Sequence, residues 1–395
     1  MSIFRPADEK ELSALVQQSL ASEEPFELIA GGSKRGLGRP LQMPHVLDLG
    51  AFTGIRDYEP AELVLTAGAA TPLSDIETAL DSSCQMLAFE PGDFRVLLGT
   101  SDKAPTLGGA IACNLAGPRR IRQGAARDHF LGFRGVSGRG EIFKAGGRVV
   151  KNVTGYDLSK LMAGSYGTLA ALTEISVKVL PRPEATRTVV LTGLDVGQAL
   201  AAMTQSLNSA HELTAAAHLP AEIAPDGKAL TVVRVEGPVP SVEARATALR
   251  RELARFGDAQ IIGDDASIKL WGEIRDLAPF ASLSDRAIWR VSIAPSAAPA
   301  LIAALGKNLD LRYFLDWGGG LVWLAVPPAQ DAGAALIRAA IGSGHATLVR
   351  ASDALRASIP VFQPQAHEVA ALSARVKESF DPQRLFNRGR MYTEL

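Results

Sequence analysis

Glycine spacing constrains this chain more than any other feature. Residues 155–181, GYDLSKLMAGSYGTLAALTEISVKVLP, join a turn carrying Gly164, Gly167 and Thr168 to an alternating apolar strand. Glycine at such a turn admits positive φ, or lets backbone approach a ligand with no Cβ between them. Two more loops of this kind lie upstream, AGGSKRG at 30–36 and TLGGA at 106–110. Three glycine-rich loops in one half of a chain point to one extended ligand gripped at several places.

A chain of 395 residues exceeds a typical single domain, so two are expected. A net charge of −1 leaves no overall basic footprint for nucleic acid. Cys84 and Cys113 are too few for a disulfide framework or a cysteine-ligated iron–sulfur cluster. The opening MSIFRPADEKEL brings charge too early for a secretory leader. No run reaches the roughly 18 apolar residues of a membrane span; the best stretch, 291–306, is interrupted by Pro295 and Pro299. The expectation is a soluble cytoplasmic protein that meets the inner membrane only through partners.

Periodicity predicts a helix over 8–20 and a strand over 26–30 that runs into the first glycine loop. Strands follow at 46–49 and 63–67, then a helix with Thr71 as N-cap and Pro72 at its first position. A hairpin spans 133–145, and a strand over 175–180 closes the first half at Pro181-Arg182-Pro183. Beyond it lie a strand at 188–191, a helix from Asp195 to 207, a strand at 230–235 and a helix over 242–256. Residues 288–349 then read β-α-β-β-α-β, the split βαβ order, which predicts an antiparallel sheet backed by helices. No short-period internal repeat is visible. The tail FDPQRLFNRGRM at 380–391 is expected to return to the first domain.

G-x-G-x-x-G after a strand, G-x-x-x-x-G-K-[ST], H-E-x-x-H, C-x-x-C and G-x-S-x-G are all absent. The six histidines are scattered without metal-ligand spacing, so no metal site is expected. What remains is the loops. Gly31, Gly32, Ser33 and Gly36 form a turn whose successive N–H groups suit a pyrophosphate, and Lys34 and Arg35 add charge. An exposed basic loop has the same composition. The small residues of 106–114, TLGGAIACN, suit a flat ring against backbone, and equally a closely packed helix start. Arg119, Arg120 and Arg122 are either a solvated face or neighbours of an anion.

In order and spacing the segments AGGSKRGLG, ELVLTAGAATPLSDIETAL, TLGGAIACNLAGPRR, GAARDHFLGF, GGRVVKNVTGYDLSKLMAGSYGTL and FDPQRLFNRGRM resemble the FAD-binding domain of the vanillyl-alcohol oxidase and p-cresol methylhydroxylase type. GPRRIRQGAARDHFLGF and the 146–168 stretch resemble, within that type, the E subunits of bacterial glycolate oxidases. The implied fold is α+β: a two-subdomain FAD-binding domain over 1–182, a cap over 183–365 with an antiparallel sheet flanked by helices, and a tail over 366–395. The implied activity is oxidation of glycolate within a complex containing a D-type flavoprotein subunit and an iron–sulfur subunit. The resemblance assigns Ala30, Gly31, Gly32, Ser33 and Lys34 to the FAD pyrophosphate. It assigns Thr106, Gly108, Gly109 and Asn114 to the flavin and ribityl region. Gly124, Asp128, Gly167, Thr168 and Ile175 would hold the remaining ends, and Asn387 would close over the flavin. Some relatives attach FAD through a His in the first loop; no His or Cys stands near Ser33 in sequence, so non-covalent FAD is expected.

Dehydrogenases of this type often carry an H-x-G-D-G-N-x-H-like metal motif in the cap, and this chain has none. Oxidation of a 2-hydroxy acid needs a base and a cation for the carboxylate. His345 is the candidate base, and Arg290 and Arg350 the candidate cations. Trp289, Trp317 and Trp323 are expected in the core. Self-sufficient hydroxy-acid dehydrogenase and flavin-binding scaffold are the alternative functions.

Overall fold

The computed structural model describes residues 2–147 and 155–394. The segment 148–154, within the GGRVVKNVTG motif, lies outside the described residues. The first half builds two sheets. A small parallel sheet sets His45–Asp48 between Ser2–Phe4 and Phe26–Ile29. The tail extends it, since Phe26 N donates to Leu385 O at 2.7 Å and Asn387 N to Phe26 O at 3.0 Å. Helix Glu9–Ser22, capped by the Asp8 carboxylate, buries Leu12 and Val16 against this sheet.

The second sheet is antiparallel and five-stranded, in the order Ile55–Glu59, Val64–Gly68, Ala170–Lys178, Phe130–Ser137, Ile142–Gly146. Its central strand is the apolar end of the 155–181 stretch, and it begins earlier than the alternation alone indicates because Ala170 and Ala171 are buried with it. One local expectation fails. The helix begins at Leu73 with Pro72 at the cap position, and the Thr71 hydroxyl donates to Gly68 O at 2.7 Å. Closing the turn after Val64–Gly68 takes the hydroxyl that capping would need.

The cap is an eight-stranded antiparallel sheet. Its two halves have the same order. Ala185–Thr192 to Ala259–Ile262 and Ala287–Ser292 to His345–Arg350 each run β-α-β-β-α-β, and they join through Ala215–Leu219 beside Arg312–Asp316. The cap is therefore a structural repeat of long period, which the sequence reading did not identify. Helices Val196–Leu207, Val239–Leu253, Ala298–Leu305 and Ala334–Ala340 cover one face. The other face carries Asp264–Arg275 and Ala278–Ala281, and also meets Leu37, Phe94 and Leu97 of the first domain. Along Ala287–Ser292 the alternation turns Ile288 to the inter-domain face and Trp289 to the helical face. Trp289, Trp317 and Trp323 are all buried.

A buried ion network locks the domains together. Arg119 pairs with Glu90 at 2.7 Å and with Glu236 at 2.5 Å; Arg234 pairs with Glu90 at 3.1 Å and Glu236 at 3.5 Å. Each charge meets two of opposite sign, which offsets the cost of burying it.

Candidate functional site

The three glycine loops and the tail converge on one cavity. Strand Phe26–Ile29 delivers the first loop into it. The N–H groups of Gly31, Gly32, Ser33 and Lys34 donate to no acceptor among the described residues, and all four residues line the cavity. The carbonyls are held from behind. Arg390 Nη2 donates to Lys34 O at 3.0 Å and Arg35 O at 3.1 Å. Arg356 Nη1, from the cap, donates to Gly36 O and Gly38 O, each at 2.7 Å, and Thr100 Oγ1 donates to Ser33 O at 3.1 Å. The N–H groups of residues 31–34 are left without an acceptor among the described residues at the cavity wall. This is the donor cluster an anion requires.

Glycine is required here on steric grounds. A Cβ on Gly31 would stand 1.9 Å from Ala104 O, and Gly32 has φ +76°. Lys34 reaches Ser33 Oγ at 3.3 Å and has no carboxylate within ion-pair distance among the described residues. Burial lowers its pKa. Arg35, grouped with it in the sequence, instead turns to Glu27 at 2.8 Å.

The second loop is both things its composition allowed. Thr106 Oγ1 caps helix Leu107–Ala112 by accepting from Gly109 N at 3.2 Å, and the helix start is also cavity wall. Gly108 N donates to Ala69 O at 2.7 Å, a closeness that a Cβ would prevent. Leu28, Leu49, Ala69, Ala112, Ala170 and Leu172 give the cavity an apolar side. Asn387 braces the third wall: its Oδ1 accepts from Leu28 N and its Nδ2 donates to Tyr166 O, both at 2.8 Å. Gly167 leaves room for it.

Of the residues singled out from sequence, Ala30, Gly31, Gly32, Ser33, Lys34, Thr106, Gly108, Gly109, Gly167 and Asn387 line this cavity. Asn114, Gly124, Asp128, Thr168 and Ile175 are not in its lining. Asn114 Oδ1 accepts from Arg127 N, thirteen residues on, and Asp128 Oδ2 from Ala125 N in its own turn. Thr168 is tied to Ser165 O, and Ile175 is fully buried in the five-stranded core. His345 is exposed on the edge strand of the cap sheet, away from the cavity lining. Arg350 donates to the carbonyls of Leu97, Leu283 and Arg286, so its guanidinium is committed to structure. Neither residue is placed for the catalytic role considered above. Arg290 lies at the domain seam, over the ring of Trp317.

Arg356, Arg390, Tyr166 and Cys113 complete the site and were not singled out from sequence. Cys113 lines the cavity although it lies far from Ser33 in the chain, which corrects the expectation that no cysteine is near. Burial pushes its pKa up, so it stands as a thiol and a poor nucleophile. Among the described residues no group of three or more His, Cys, Asp and Glu is placed to hold a metal, and no helix is long and apolar enough to cross a membrane.

A donor-lined loop beside an apolar wall fits a ligand with a pyrophosphate and a flat ring, as in FAD. Residues 2–146 match the family described as FAD binding domain. The chain is 36% identical to glycolate oxidase subunit GlcE of Escherichia coli (strain K12), over 96% of each chain. It is 29% identical to glycolate oxidase subunit GlcD of Bacillus subtilis (strain 168), over 48% of this chain and 39% of that one. Against a D-lactate dehydrogenase of Anaerostipes hadrus the identity is 30%, over 46% and 37%. A solved alkyldihydroxyacetonephosphate synthase superposes with a TM-score of 0.69 at 16% identity, covering 97% of this chain and 76% of its own, which speaks for the fold alone. The chain thus belongs to the family of p-cresol methylhydroxylase-type FAD-binding proteins that includes the glycolate oxidase subunit GlcE.

Proposed function

We propose that this chain is the FAD-binding subunit of a multi-subunit glycolate oxidase, which converts glycolate to glyoxylate. The observation that carries this reading is the end-to-end similarity to a glycolate oxidase subunit, 96% of both chains. Bound FAD supplies a two-electron acceptor. In this reading the N–H groups of residues 31–34 and the Lys34 ammonium hold the pyrophosphate. Thr106, Gly108 and Gly109 give the ring a flat wall, and Gly167 with Asn387 closes the third side. The Cys113 thiol leaves the cofactor unattached. The partners are a D-type flavoprotein subunit and an iron–sulfur subunit, in a cytoplasmic assembly that reaches the inner membrane through them.

The chain's own residues bind and orient, and the cavity lining contains no histidine to take the hydroxyl proton. This favours turnover in the complex over a self-sufficient dehydrogenase. The test is purification of the chain alone and with its partners, followed by anaerobic addition of glycolate. The reading expects a yellow chain that glycolate does not bleach, and a complex that passes electrons to an artificial acceptor. Bleaching of the isolated chain would favour the self-sufficient enzyme. A colourless chain that takes up no FAD would remove the flavin role.

A further inference from the structure

Three neighbouring arginines meet three different fates. Arg119 enters the buried network with Glu90 and Glu236. Arg122 pairs with Glu212 at the surface. The Arg120 guanidinium makes no hydrogen bond or ion pair among the described residues; its Cζ lies 4.5 Å from the centroid of the Trp317 ring. From the cap, Arg290 reaches the same ring at 5.0 Å, and its guanidinium too makes no hydrogen bond or ion pair among the described residues. Two guanidinium groups therefore share one indole at a seam where the neighbouring Arg119 and Arg234 are both paired with carboxylates. Trp317 is itself anchored, with Nε1 donating to Gly117 O at 3.1 Å across the domain boundary.

Among the described residues no carboxylate forms an ion pair with either guanidinium, although Asp128 acts on Arg120 from a distance. Asp316 is buried, and its recorded hydrogen bond is from Trp317 N at 2.7 Å. Burial pushes its carboxyl up to about 7, so it is a weak counter-charge. Burial, and then Arg120, bring Arg290 down to about 10. Tyr166 packs against the buried cluster that holds Trp317 and also lines the cavity. A partly buried guanidinium without an acceptor is costly, and two together more so, unless an anion arrives.

We infer that Arg120 and Arg290, seated on Trp317 beside Tyr166, receive the carboxylate of a small 2-hydroxy or 2-oxo acid. The guanidinium fork matches a carboxylate, and the aromatic platform fixes the fork's plane. The class of acid rests on the glycolate oxidase reading; the receiver itself rests on the geometry.

The test is calorimetric titration of the full chain with oxalate, a redox-inert carboxylate, before and after loading with FAD. Oxalate is expected to bind, and Arg290→Gln and Arg120→Gln each to weaken it by at least about tenfold. Flavin content and melting temperature should hold, and Arg122→Gln should bind as the parent does. Arg290→Lys, which keeps the charge and loses the fork, should fall between. Methyl glycolate, lacking the charge, should not bind. The inference is overturned if the parent chain ignores oxalate, if both Gln variants bind it unchanged, or if inorganic phosphate binds as tightly. A colourless chain that still binds oxalate through these arginines would defeat the flavin reading and leave the receiver standing. A yellow chain that ignores oxalate would do the reverse.

Discussion

Adding one methyl group at Gly31 should empty the cavity of FAD. An alanine Cβ there would stand 1.9 Å from Ala104 O and 3.0 Å from Thr106 Cγ2. The first is backbone, so the loop or residue 104 must move by more than about 1 Å to restore a normal contact. Over-packing of this kind costs about 1–3 kcal/mol in the fold. The larger effect is on the ligand. Displacement by that distance breaks N–H bonds to a charged phosphate, each worth about 1.5–3 kcal/mol. Losing two of the four donors amounts to roughly 3–6 kcal/mol, or a 10²- to 10⁴-fold weaker FAD. The assay is fluorescence titration of flavin-stripped protein with FAD, with the melting temperature measured alongside. Gly263→Ala is the control, because a Cβ there meets nothing within 4 Å. FAD affinity within about threefold of the parent in Gly31→Ala would refute the assignment of this loop to the pyrophosphate.

Other expectations follow from particular contacts. Arg356→Lys keeps the charge but loses the Nη1 that donates to both Gly36 O and Gly38 O; flavin titration should show FAD weakened about tenfold with the fold intact. Gly272→Ala lies inside helix Asp264–Arg275 in open space and should stabilise the chain by about 0.5–1 kcal/mol in thermal melts. Burial raises the Glu236 carboxyl, but Arg234 and then Arg119 outweigh it and hold it at about 2, against an ordinary value of 4.5. A depressed carboxyl pKa contributes stability that is complete above the ordinary value and is lost as pH falls toward the folded one. Acid unfolding should therefore take about 3 kcal/mol between roughly pH 4.5 and pH 2, and Glu236→Gln should flatten that slope.

How much of this was readable in the residues depends on how local each signal is. The second half of the cap announces itself because its strands, such as Leu321–Val326, are rich in branched and aromatic residues. Its twin was hidden because Ala215–Leu219 reads AAAHL, a sequence with no strand preference. That segment is a strand because both its faces are buried, Ala216 toward the helices and Ala215 and Ala217 toward the domain seam. Without it the repeat could not be seen. The glycine loops were legible since Gly31 and Gly32 mark backbone that no other residue can occupy. Arg356 and Arg390 were not, because nothing local separates them from other surface arginines. Their role is set by a partner more than three hundred residues away. Asn114 and Asp128 show the opposite case: polar residues beside a glycine loop lie outside the cavity lining and accept from the backbone of Arg127 and Ala125.

The claim on which the rest depends is that the glycine-loop cavity holds FAD without a covalent bond. Its most direct test is acid precipitation of the purified, FAD-incubated chain, with flavin measured in supernatant and pellet. The account predicts equimolar flavin before precipitation, all of it released to the supernatant. Flavin retained in the pellet would contradict the unattached cofactor and point to Cys113; a chain that takes up no flavin would contradict the site itself.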